Sequence, residues 1–250
     1  INYTRSNEAE ADRVGISILV NSGFDPNGAP DFFRKMSSKY RYSSKPPAML
    51  LTHPLPDSRI TDSRNRAQMF PQRLLPPSLP FELAKARLRS RYQGKAESNI
   101  ETFKNEINKG DYKLKAAAQY GLALSYFDDK QYAKAEEVVA PLLASDHKNL
   151  FYVDAMTDIL IEQKKFDQAL TMLDKLALIM PHNQVISLNY ANTALEAGKL
   201  ELASKLLQDF LLLNKDNFIG NDLLTQVYKK QGKTAHMHAQ KAEVFALMGL

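Results

Sequence analysis

The sequence contains no cysteine. Disulfides, thiolate metal sites and a cysteine nucleophile are therefore excluded, while the redox compartment stays open. No run approaches the roughly 18–20 apolar residues that a membrane span requires, so no transmembrane segment is expected. There is no leading methionine and no signal-like segment, so any targeting peptide is expected to have been removed or to lie outside the sequence. Basic–aromatic motifs and recognition-helix patterns are also missing, and nucleic acid is not an expected partner. What is present suits a folded chain. Of 250 residues, 44% are apolar and 24% charged, enough for a sizeable core and too balanced for wholesale disorder.

The net charge of +5 conceals two compositions. Residues 1–115 carry +8 and residues 116–250 carry −3; all eleven arginines lie at or before Arg91 and ten of twelve prolines at or before Pro80. The change of character falls near residues 76–91.

Downstream of that change the sequence repeats. Tyr132, Phe166 and Leu200 are spaced by 34 residues, as are Ala135, Ala169 and Ala203, and the small residues Ala123, Thr157, Ala191 and Thr225. A period of 34 is that of the tetratricopeptide repeat, a helix–turn–helix unit whose small residues let paired helices cross closely. The units are placed at 116–149, 150–183, 184–217 and 218–250. Gly198 and Gly232 suit the turn within a unit, and Pro181 stops a second helix. Gly249-Leu250 reads as a turn rather than a terminus, so the second helix of the fourth unit is expected also to begin another helix pair. Two helices, 81–92 and 97–108 within a segment 81–115, are expected to cap the array. Phe81, Ala84, Leu88 and Tyr92 form the apolar stripe of the first, and Ile100, Phe103 and Ile107 that of the second. The first helices build the concave face of such an array. In this register it carries Tyr120, Phe127, Phe151, Asp158, Asn192, Glu196 and Lys229, exposed aromatics among acids and amides that suit an extended or unfolded peptide.

The first 75 residues read differently. A helix over 1–22 contains Glu8 and Asp12, four apart and therefore on one face. Gly15 and Leu19 continue that stripe, Gly15 allowing close backbone approach; Val14 and Ile18 pack on an adjacent stripe, and Glu10 points to solvent. Ser22-Gly23-Phe24-Asp25-Pro26 stops this helix and restarts another near Asp25-Pro26. A loop over 39–52 leads to Thr52-His53-Pro54 and then Arg59-Ile60. The proline-rich residues 76–80 form a linker.

Together these strings resemble the zinc metallopeptidase family that includes the CAAX prenyl proteases, the HtpX heat-shock proteases and periplasmic proteases with repeat tails. The E-x-E/Q-A-D string of that family matches Glu8-Ala9-Glu10-Ala11-Asp12; its S-G-F/Y-D-P string matches Ser22 to Pro26; its T-H-P…R-I string matches Thr52-His53-Pro54 and Arg59-Ile60. The resemblance implies an all-α chain: the C-terminal helices of a zincin, gluzincin-like peptidase domain, followed by a tetratricopeptide-repeat superhelix. It implies zinc as cofactor and Glu8 as a zinc ligand. Asp12 would orient a zinc-bound histidine, and Arg59 would orient its loop or a substrate carbonyl. His53 would face the metal, either stabilising an oxyanion or binding zinc itself and holding the enzyme latent. It also implies the periplasm, misassembled or unfolded protein clients, and outer-membrane β-barrel proteins with their assembly machinery.

One departure matters. The family requires H-E-x-x-H, which carries two zinc histidines and the general base. The five histidines, His53, His147, His182, His236 and His238, do not form it. The helix that carries it is expected upstream of Ile1, and this chain alone is expected to be inactive. The alternative is a non-enzymatic repeat adaptor or chaperone-like scaffold. It accounts for 81–250 equally well but leaves Glu8–Asp12 and His53–Arg59 as coincidences.

Overall fold

The computed structural model describes residues 2–40 and 57–249. Every regular element among them is an α-helix, thirteen in chain order. They divide into two compact units, Ile1–Pro76 and Pro77–Leu250.

The first unit holds α1 (Asn2–Asn21), α2 (Gly28–Tyr40) and α3 (Asp57–Ala67), each packed on the other two. Gly23 ends α1 in the left-handed region, with φ 83°. A Cβ there would also stand 3.3 Å from Arg73 Nη1, so backbone and neighbour both favour glycine. Asp25 then accepts a hydrogen bond from the Asn27 backbone N–H at 3.0 Å, a side-chain turn that delays the start of α2 to Gly28. The inward face of α1 consists of Glu8, Asp12 and Ile16, spaced by four; Ile16 is 1% exposed. Val14 and Ile18 are exposed instead of packed. Among the described residues no atom lies within 4 Å of where a Cβ on Gly15 would stand. The packed stripe is thus the one that carries the carboxylates, because an arginine compensates them.

The second unit is an array of helix pairs. α4 (Leu79–Tyr92) and α5 (Ala96–Lys109) come first. The pairs α6 (Lys115–Asp128) with α7 (Tyr132–Ser145), and α8 (Leu150–Glu162) with α9 (Phe166–Ile179), follow. The last two are α10 (Gln184–Glu196) with α11 (Leu200–Leu213), and α12 (Phe218–Lys230) with α13 (Thr234–Leu247). Ala135, Ala169 and Ala203 are fully buried, and Ala123, Thr157 and Ala191 nearly so. The helices cross over these small side chains. Each turn within a pair needs one left-handed residue: Lys130, Lys164, Gly198 and Gly232, again 34 apart, have φ 59°, 58°, 73° and 71°. Asn149, Asn183 and Asn217 repeat at the same period as N-caps, their side-chain oxygens accepting from the first backbone N–H groups of α8, α10 and α12.

α6 is buried nearly all round because α4, α5 and α7 surround it. A Cβ on Gly121 would collide with the Phe103 ring of α5, so that helix is seated against bare backbone. Ile100 and Phe103 of α5 are buried. In α4 the buried residues are Leu83, Ala86 and Ser90, whereas Phe81, Leu88 and Tyr92 are exposed. The expected apolar stripe of α4 therefore faces outward. Its packed face is selected by small size, as at Ser90, whose Oγ lies 3.0 Å from that of Ser125 on α6.

Candidate peptidase site and repeat groove

In the first unit the chemistry converges on Arg59. Its Nε donates to Asp12 Oδ2 at 2.8 Å and its Nη2 to Asp12 Oδ1 at 2.7 Å, while Nη1 lies 2.9 Å from Glu8 Oε2. The three side chains are 12–15% exposed. The guanidinium also stacks over the Phe33 ring of α2, 5.1 Å from its centroid. Hydrogen bonding to Asp12 holds the Arg59 proton more firmly than usual, against the opposing effect of burial. Glu10 faces solvent and pairs with Arg13. His53 lies outside the described residues, so its placement against this cluster is not described.

Glu8 is a carboxylate on a shielded helix face, the kind of oxygen donor that zinc accepts. Asp12, one turn on, is the kind of acceptor that fixes a ligating imidazole. Among the described residues no three His, Asp or Glu side chains form a metal-holding group. Glu8 and Asp12 therefore fit a contribution to a zinc site.

In the second unit a polar chain crosses successive first helices. Arg87 of α4 donates through Nε to Tyr120 Oη of α6 at 2.9 Å and pairs with Asp154 of α8; Asn189 of α10 donates to the other oxygen of Asp154 at 3.0 Å. Tyr120 is fully buried, its ring 5.9 Å from Phe151 and 6.0 Å from Tyr152. It is thus a core residue rather than an exposed aromatic, and burial pushes its hydroxyl up to about 12. Phe127 and Phe151 are half-buried beneath guanidinium groups, Phe127 under Arg91 and Phe151 under Arg87. Asp158, one turn beyond Asp154, is also half-buried; desolvation and then the Asp154 charge push its carboxyl up to about 6. Asn192 is half-buried, while Glu196 and Lys229 are exposed. Glu196 pairs with Lys230 at 3.8 Å. Sequence reasoning missed Arg87 and Arg91. Their signal was two arginines four apart on α4, Arg87 standing 33 residues before Tyr120 and 67 before Asp154.

Comparison with known proteins agrees with both halves. Residues 1–67 match the model of Peptidase family M48, and residues 120–149 and 160–227 match tetratricopeptide-repeat models. A Vibrio cholerae relative is 44% identical over 248 residues, 99% of this chain and 51% of its own length. The beta-barrel assembly-enhancing protease of Escherichia coli K12 is 40% identical over 249 residues, 100% of this chain and 51% of its own. The chain therefore spans about half the length of the curated relatives it matches. A tetratricopeptide-repeat protein from Parabacteroides merdae shares the fold, with a TM-score of 0.56 at 14% identity over 96% of this chain and 80% of that one. Among the described residues no helix is long and apolar enough to cross a membrane. The chain joins an M48 peptidase segment to a tetratricopeptide-repeat array, and along its whole length it is similar to the beta-barrel assembly-enhancing proteases.

Proposed function

We propose that this chain is part of a periplasmic zinc-dependent endopeptidase whose repeats hold misassembled or unfolded proteins, outer-membrane β-barrel proteins and their assembly machinery among its partners. The observation that carries the reading is the pair Glu8 and Asp12 on one shielded face of α1, inside the segment that matches Peptidase family M48. Glu8 would hold zinc through a carboxylate oxygen, and Asp12 would fix the ring of a ligating histidine. Zinc, when bound, polarises a scissile carbonyl and lowers the pKa of its water to about 7. Arg59 binds both carboxylates, and Phe33 supports the plane of its guanidinium. His53 has two open roles, oxyanion stabiliser or latency ligand. The sign of the activity change in His53→Ala separates them.

The test uses metal analysis after dialysis. The chain by itself is expected to bind zinc weakly and to cleave nothing, because its histidines do not supply H-E-x-x-H. The full-length enzyme is expected to hold one zinc and to lose it in Glu8→Gln. Stoichiometric zinc in the Glu8→Gln enzyme would sink the assignment. The groove is tested separately. Asn192→Ala and Glu196→Gln are expected to weaken retention of an unfolded client while the repeats unfold at an unchanged temperature. Unchanged retention in both would remove this face from client binding.

A further inference from the structure

Arg59 stands where the three helices of the first unit meet. Its fork takes Asp12 through two nitrogens and Glu8 through the third, both from α1, while its own backbone belongs to α3 and its plane rests on Phe33 of α2. A glutamate side chain has several rotatable bonds, and a metal ligand is effective only when its oxygen is held where the metal needs it. A carboxylate has two oxygens, so an arginine bond to one is compatible with a metal bond to the other.

We infer that Arg59 is a positioning residue for zinc, clamping Glu8 and Asp12 in one ligand-ready arrangement. This rests on the zinc reading above and gives Arg59 a task other than orienting a loop or a substrate carbonyl. Two effects of opposite sign meet at this position. The arginine charge repels a nearby zinc ion, whereas its fork removes the freedom of Glu8. Lysine keeps the charge but not the planar fork, so Arg59→Lys separates geometry from charge. The geometric effect is the larger one, because the charge is already shared between two carboxylates.

The experiment is a double-mutant cycle in the full-length enzyme: unchanged, Arg59→Lys, Glu8→Gln and both together. Zinc affinity is read by competition with chelators of graded strength, and thermal unfolding of the zinc-free protein reports the fold. Arg59→Lys is expected to weaken zinc about 10–100-fold when Glu8 is intact. It should change affinity clearly less in the Glu8→Gln background, where only the Asp12 arm of the clamp remains to act. An Arg59→Lys enzyme within about threefold of the unchanged one overturns the inference. So does an equal loss in both backgrounds, which marks a general effect on folding. An unchanged enzyme that binds no zinc, or a Glu8→Gln enzyme that binds it as well, overturns the zinc reading and this inference with it. If Arg59→Lys does not fold, Phe33→Leu replaces it, removing the shelf and keeping every charge. Severalfold weaker zinc then supports the clamp, and unchanged affinity counts against it.

Discussion

Arg59 and Arg87 are two arginines with similar contacts and opposite structural standing. Each pairs with a carboxylate from another helix and lies over an aromatic ring. Around Arg59 there is little apolar material. Among the described residues of the first unit, Ile16, Pro26, Pro30, Ser63 and Ala67 are the buried ones. Around Arg87 lies a continuous core running from Leu83 and Phe103 through Tyr120, Leu124 and Tyr152 to Ile159. Arg87 is also the more exposed, with 36% of its side chain accessible against 13% for Arg59. The same fork is therefore the centre of the first unit and an accessory of the second. A unit organised around charges can place carboxylates for chemistry. One organised around small and apolar residues can be lengthened by repetition.

The largest expected effect separates the two directly. Arg59→Ala removes a guanidinium that binds two shielded carboxylates of α1 and is expected to cost the first unit about 3–5 kcal/mol. Arg87→Ala, at a partly solvated pair, should cost the second unit about 1 kcal/mol. Hydrogen exchange resolved by helix measures both. Equal losses would dissolve the distinction.

A smaller effect concerns Asp158. Its carboxyl is raised to about 6 by burial, so the folded array binds a proton more tightly there than the unfolded chain does. The stability this contributes is fully present below about pH 4, and it is lost as pH rises through about 6. Asp158→Asn is therefore expected to stabilise the array by about 1–3 kcal/mol at pH 8 and to approach neutrality near pH 4. Urea unfolding at the two pH values checks the sign. A destabilising change at pH 8 would mean that Arg87 and Arg91 outweigh desolvation.

The smallest effect tests the repeat geometry alone. Lys164 occupies a left-handed position that Gly198 and Gly232 fill without strain. Lys164→Gly is expected to gain about 0.5 kcal/mol and Gly198→Ala to lose about 1 kcal/mol, each read from thermal unfolding. The opposite order would place the turns out of register.

The repeats were legible because burying a helix face at every pair imposes the same small residue at the same spacing. Ala135, Ala169 and Ala203 show the period in the sequence and are fully buried in the structure. The asparagine caps carry the same period and were equally readable. Glu8 and Asp12 were legible through helical spacing joined to family resemblance. The outward stripe of α4 was not, because Phe81, Leu88 and Tyr92 satisfy helical periodicity as well as the packed face does.

The sequence by itself determined the first helix, the capping helices and the repeated helix pairs, the turns at Gly198 and Gly232, and that two carboxylates share a face of α1, since these follow from interactions a few residues long; it did not show α3, which carries Arg59. Only the tertiary structure decided that Arg59, 47 residues beyond Asp12, closes on both carboxylates. It also decided that Tyr120 is sealed in the core and that Arg87 ties three helices to Asn189. These depend on which helix faces meet, and that choice is made by the packing of the whole unit, where one buried charge is stable only beside its partner.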